Sequence, residues 1–318
     1  MRYMILLLSF TLVGCSSLQR MAIRSASPMF VDGSNKLTSE RNWEFFRDAA
    51  PGNLKFLEMV YLQDRDNLEL LGTLVKGYAG YAYAVPETLA FGDDLAGVED
   101  SIHKKNAIDH YTKSLDYGLD YLRKKGIKQK DLLGMDEDKL KKIIKDKLDK
   151  RDYTAVLFMA QSWGSLINLQ KDNVALVSHV PKVKLLFDWV CGKDPSIENG
   201  VCDIFNAQYE ASRPLMLGGN PAKAKQLYAA AIKERPRHLL LRLGFIQFSV
   251  LPAFDLETYE TEAKILKEEF AKWENINRDT LEDTSDYKAV EHLNLYNAIA
   301  RKRFEYIEKN KKRIFDEG

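Results

Sequence analysis

Two glycines, an asparagine and a proline at Gly218-Gly219-Asn220-Pro221 constrain this chain more than any other feature. From Asn206 the residues form a helix-compatible run that ends at Leu217. The four-residue break interrupts it, Pro221 takes what would be a first helical position, and a second amphipathic run continues to Arg235. The segment predicts a helix-turn-helix hairpin, closed at its far end by Pro236.

Within the second helix Ala224, Tyr228 and Ala231 fall at i, i+4 and i+7, with Pro236 five residues on. They match one half of a tetratricopeptide repeat, in which small residues let two helices approach and an aromatic fills the gap beside them. An Ala-rich helix meets this pattern by chance, so the weight falls on recurrence. Ala107, Tyr111 and Ser114 copy the spacing. Leu71-Gly72 fall at the expected Leu-Gly pair when Ala50, Leu54, Leu57 and Leu62 are taken as late repeat positions. Trp163-Gly164 followed by Val183, Phe187, Val190 and Pro195 gives another pair, and runs 238–251 and 256–273 a further one, before a last helix over 286–310.

The expected architecture is all-α: tetratricopeptide-like helix hairpins, each unable to bury its apolar face alone, stacked into a right-handed superhelix with one concave surface. Gly72, Gly77 and Gly80 each weaken a free helix by roughly 1 kcal/mol relative to Ala, so close packing against neighbours is expected there. The charged stretch 126–151 carries a narrow stripe of Leu140, Ile143, Ile144 and Leu148, and reads as an exposed helix.

The chain opens with MRYMILLLSFTLVGCSS. Arg2 is a small cationic start, the apolar run from Tyr3 to Val13 is too short to span a bilayer, and Leu12-Val13-Gly14-Cys15 resembles a bacterial lipobox. This predicts a lipoprotein signal peptide over 1–14, lipidation of Cys15, a Ser-rich tether over 15–37 and a helical domain over 38–318. Ser16 after the cysteine favours the outer membrane, so the address is periplasmic and lipid-anchored. Removing Met1 to Gly14 takes away Arg2 and leaves a neutral chain, which argues against nucleic acid as a partner. The exported address makes Cys191 and Cys202 free to oxidise. They either close the loop CGKDPSIENGVC as a disulfide, the reading this address favours, or remain two core thiols.

No phosphate-binding loop, nucleophile elbow or His-Glu-x2-His motif is present, and His103 and His110, seven apart, are too few for a metal site. The reading is a non-enzyme with no cofactor and no metal. Aromatics do gather on small-residue helices: Tyr78, Tyr81, Tyr83, Phe158, Trp163, Tyr209 and Phe245. Tyr78, Tyr81, Phe158, Trp163 and Tyr209 are the candidate ligand-binding set, lining a groove or tunnel for an apolar or amphipathic ligand. Ordinary interhelical packing accounts for any one of them equally well.

AAPGNLKFLEMV followed by NLELLGTLVKGYAGYAYA, the Ala-x3-Tyr run at Ala107, LFMAQSWGSLINLQKDN and LMLGGNPAKAKQLYAAAI together resemble the T component of TRAP transporters, the TatT-type lipoproteins. The resemblance spans about Ala49 to Arg301, and the last segment is its most specific part. It departs from the family pattern in the insertion over 126–151 and in the cysteine pair. It implies a cryptic tetratricopeptide-repeat subunit with a pore-like passage, assembled as a homo-trimer. Such a subunit docks a periplasmic solute-binding protein and hands over a ligand. The alternative is a lipid-anchored repeat scaffold for envelope assembly, holding an extended client segment in an open groove.

Overall fold

The computed structural model describes residues 2–276 and 284–316; the side chains of residues 2–17 and of Leu217 lie outside that description, the Cys15 thiol among them. The protein is all-helical, with no strand among the described residues. The α-helices in chain order are α1 (Arg2–Lys36), α2 (Trp43–Gln63), α3 (Leu68–Ala82), α4 (Thr88–Ala96), α5 (Ile102–Lys124), α6 (Gln129–Gly134), α7 (Glu137–Lys147) and α8 (Tyr153–Leu169). They continue as α9 (Val174–Val177), α10 (Val180–Cys191), α11 (Val201–Ser212), α12 (Pro221–Glu234), α13 (Leu239–Phe245), α14 (Leu256–Glu274), α15 (Ser285–Val290) and α16 (Asn294–Asp316). Two compact units result. One comprises Met1–Asn35, Asp48–Tyr81 and His110–Lys182; the other Lys36–Arg47, Ala82–Asp109 and Val183–Gly318.

The first unit is built on the apolar stripes of α2 and α3. Leu54, Leu57 and Tyr61 of α2 pack with Leu70, Leu71 and Leu74 of α3, joined by Tyr121 of α5 and Ala155 of α8. Each of these leucines contributes roughly 1.5–3 kcal/mol by leaving water. A Cβ added at Gly77 would sit 2.7 Å from Leu54 Cδ2, the close packing expected of it, whereas one at Gly80 meets nothing within 4 Å. α2 continues through Pro51. Pro51 is exposed, so water can take up the backbone bond it forgoes.

The charged insertion keeps its polar side exposed and turns its apolar stripe inward: Asp136 caps α7 by accepting from the Lys139 N–H at 2.9 Å, and Leu140, Ile144 and Leu148 are buried. One further stretch of this unit differs from the sequence reading. The segment expected to be an irregular tether is helical to Lys36 and pinned to the unit. Arg24 bonds Asp64 at 2.7 Å, Asn67 Nδ2 donates to Ser27 Oγ at 2.6 Å, and Ile23 and Phe30 pack on the core.

The second unit contains the α11–α12 hairpin. Its first helix stops at Ser212 rather than Leu217, because Pro214 forces Arg213 into an extended conformation. Asn220 caps α12 by accepting from the Lys223 N–H at 2.9 Å, with Pro221 in its first turn. A Cβ at Gly219 would lie 1.9 Å from the Arg213 carbonyl oxygen, so this turn admits only glycine. Ala224, Tyr228 and Ala231 are buried, and Tyr228 rests on Gly244 of α13. α16 packs against α4, α13 and α14 in this unit. Cys191 and Cys202 are disulfide-bonded with their Cα atoms 5.7 Å apart.

Candidate functional site

Proline at position 86 is where the site begins. It has no N–H for the helical ladder and its ring crowds the carbonyl four residues back. The chain responds by widening into a π-helical turn over Tyr83–Glu87. Two carbonyls take their bonds from side chains here: Trp43 Nε1 donates to the Ala84 oxygen at 2.8 Å, and Arg303 Nη2 donates to the Tyr83 oxygen at 3.1 Å. A second π-helical turn, Ile246–Val250, lies between α13 and a 3₁₀ turn containing Pro252.

Arg303 of α16 joins the two turns. Its side chain is 1% exposed. Nε donates to Thr88 Oγ1 at 2.9 Å, Nη2 also donates to Glu87 Oε1 at 3.3 Å, and Nη1 reaches Gln247 Oε1 at 3.4 Å. The Tyr83 ring stacks on the guanidinium at 4.3 Å. A buried cation is tolerable only when paired and hydrogen-bonded, and here one carboxylate and three neutral acceptors do both.

Around Arg303 the walls are aromatic. Tyr83, Phe91 and Tyr296 keep part of their side chains accessible. Desolvation pushes the Tyr83 and Tyr296 phenols well above the usual tyrosine range. Tyr83 is electrostatically coupled to both Tyr296 and Tyr228, so the three phenols share one neighbourhood. Tyr228 is fully buried and its hydroxyl has no partner among the described residues.

His238, at the start of α13, stacks on Tyr296 with ring centroids 5.0 Å apart. It is 1% exposed, and neither ring nitrogen has a partner among the described residues. Burial, reinforced by the nearby Arg235 charge, pushes the imidazole down to about 4, so it is neutral at physiological pH. Tyr296 is also hydrogen-bonded to Asn199. Glu198 and Asn199 both hold left-handed backbone, with φ of 49° and 59°, inside the loop that the Cys191–Cys202 bridge closes. Non-glycine residues adopt this strained conformation when the surroundings fix it, and the disulfide does so here.

An open groove of about 620 Å³ lies elsewhere on this unit, lined by Trp43, Trp273, Arg41, Arg301, Lys302 and acidic neighbours. Arg41 stacks on Trp273 at 4.7 Å and Lys302 on Trp43 at 5.0 Å.

The five residues chosen from sequence do not converge. Tyr78 and Tyr81 flank His110 in the first unit, at 6.0 and 4.9 Å between ring centroids. Tyr78 donates to Glu58 at 2.7 Å, and Tyr117, Lys113 and Lys55 bond the same carboxylate, holding it down at about 2. Phe158 and Trp163 are core residues of α8, Trp163 against the His179 ring at 5.3 Å. Tyr209 belongs to the second unit, with Arg213 over its ring at 3.7 Å. Sequence reasoning missed Arg303, Glu87, His238 and Tyr296. The legible signals were Pro86 inside an apolar helix and an arginine amid the apolar positions of α16.

Among the described residues no group of acids, histidines or cysteines could hold a metal. The protein is all-helical, with a buried guanidinium flanked by aromatic rings at its centre of polar contacts. The chain belongs to the TRAP transporter T-component family, whose model matches residues 39–315. A T component is an accessory subunit of a transporter. Comparison with curated proteins gives no match. Among the described residues no helix is long and apolar enough to cross a membrane.

Proposed function

We propose that this subunit is anchored in the periplasm, at the outer membrane, by a lipid on Cys15. There it docks the solute-binding protein of its transporter and passes on a small apolar or amphipathic ligand, with the aromatic cluster beside Arg303 as the contact region. Its hairpins stack as a tetratricopeptide-like superhelix, and copies assemble as a trimer. The observation that carries the reading is the match to this family over most of the chain, with the Arg303 aromatic cluster inside it. Aromatic walls with a few fixed polar groups suit a ligand that is mostly apolar. The Trp43–Trp273 groove, with cations stacked on both indoles, has the composition of a protein-docking hot spot.

Co-purification of the anchored protein from native envelopes, with mass spectrometry of what it retains, tests the reading. Enrichment of a TRAP-type solute-binding protein is expected. Enrichment of outer-membrane assembly components in its place would overturn it.

A further inference from the structure

The packing register of α1 leaves one face exposed among the described residues. Ile23, Ser27 and Phe30, at i, i+4 and i+7, turn toward the first unit's core. Leu18, Met21 and Met29 fall about half a helical turn away and are 68%, 64% and 74% exposed. Gln19 bonds Gln63, and Phe30 touches the Phe56 ring, so α1 runs antiparallel along α2. Phe56, Met59 and Leu62 of α2, the helix that α1 lies along, are each more than half exposed. Two adjacent helices thus expose six large apolar side chains, which water alone does not favour.

Charge and continuity identify the occupant. The chain contains no Asp or Glu before Asp32, and Arg20 and Arg24 flank the stripe. A shallow groove of about 490 Å³ is lined by Arg20, Met21, Arg24 and Ser25. Arg24 is engaged by Asp64, and Arg20 makes no ion pair among the described residues. A helical segment with an apolar face, cationic flanks and no acid before Asp32 has the makeup of one that lies in a membrane interface. Leu18 is also only three residues beyond Cys15 on the same helix.

We propose that the outward face of α1 from Leu18 to Met29, with Phe56, Met59 and Leu62 of α2, is the surface on which the protein lies against a phospholipid bilayer. The proposal rests on the reading of Cys15 as the lipidated residue. Its consequence is that the first unit sits on the membrane in a fixed orientation rather than hanging from a flexible tether.

The test is a fluorescent label at Ser25→Cys in the full processed protein, bound to phosphatidylethanolamine and phosphatidylglycerol vesicles carrying a headgroup-proximal quencher. Lys142→Cys on the exposed side of α7 is the control. The label at 25 is expected to lose about half its fluorescence and the control little, since interfacial helices bury their apolar face roughly 5–10 Å into the boundary. Equal quenching at both positions, or none at 25, overturns the proposal. So does energy transfer between copies labelled at 25 without quenching, which would make a second copy the occupant. Mass spectrometry of the amino-terminal peptide separates the two readings. A lipidated Cys15 with an unquenched label at 25 sinks the docking face alone, and an unmodified Cys15 with quenching at 25 sinks the anchor alone.

Discussion

Replacing His238 by Phe should abolish part of the acid sensitivity of the second unit. Histidine titrates near 6.5 in the unfolded chain and is held down at about 4 by burial in the native one. Between those values the unfolded chain carries a proton that the folded chain refuses. Stability therefore rises with pH across that window: the His238 contribution is whole above about 6.5 and is lost as pH falls toward 4. From about pH 7 to about pH 4.5 the loss amounts to roughly 2 kcal/mol, because each tenfold difference in proton affinity between the two states is worth about 1.4 kcal/mol.

Phe keeps an aromatic ring against Tyr296 and removes two nitrogens that have no partner among the described residues. At neutral pH the variant should thus be about as stable as the parent, within roughly 1 kcal/mol. Trp43, Trp189 and Trp273 lie in the same unit as His238, so tryptophan fluorescence in urea reports on it. The parent midpoint should drop by about 1 M more than the variant's between the two pH values. Carboxylates that also titrate in acid, Glu58 among them, are present in both proteins and cancel. Identical pH slopes would refute the reasoning and mean that the native imidazole has a partner or meets water.

Gly118→Ala should destabilise the first unit although alanine favours a helix by about 1 kcal/mol. Its Cβ would fall 2.3 Å from Met159 Cγ and 2.6 Å from Met159 Cβ, and Met159 is fully buried. Overpacking of this kind costs about 1–3 kcal/mol, so thermal melting should shift down; a raised melting temperature would mean that Met159 simply turns aside. Cys202→Ala should cost about 3 kcal/mol, since the bridge closes a loop with a sequence separation of 11. Urea midpoints with and without reductant check it: the parent should fall to the variant's value on reduction, and a parent unmoved by reductant would show that the loop needs no bridge.

The parts of the fold legible in the chain are those fixed by neighbours a few residues away. The α11–α12 turn follows from Gly219, Asn220 and Pro221, and the structure keeps all three in the roles their chemistry assigns. The stripe Leu54, Leu57, Tyr61 identifies the core face of α2. Local rules err where tertiary contacts outweigh them. Pro51 reads as a boundary because proline removes a backbone donor, but that loss costs little on an exposed side of a helix whose other face is packed. The segment after Ser16 reads as irregular because its small polar residues hide the Ile23, Ser27, Phe30 face, which becomes meaningful only against α2 and α3.

The site is harder to read for a reason of distance along the chain. Arg303 meets Glu87 and the Tyr83 carbonyl at separations of 216 and 220 residues, which helical periodicity does not address. What the sequence does carry is an obligation. A proline within an apolar helix must free a backbone acceptor, and a buried acceptor must find a donor. In this chain Trp43 donates to the Ala84 carbonyl and Arg303 to the Tyr83 carbonyl of the first π-turn. Arg303 can be buried only because Glu87, one residue beyond the proline, supplies the opposite charge. Tyrosines chosen by abundance lead to Glu58 and to the α8 core, where the rings serve packing and a satisfied carboxylate. Following the carbonyls of the turn that holds Pro86 leads directly to the one buried guanidinium among the described residues.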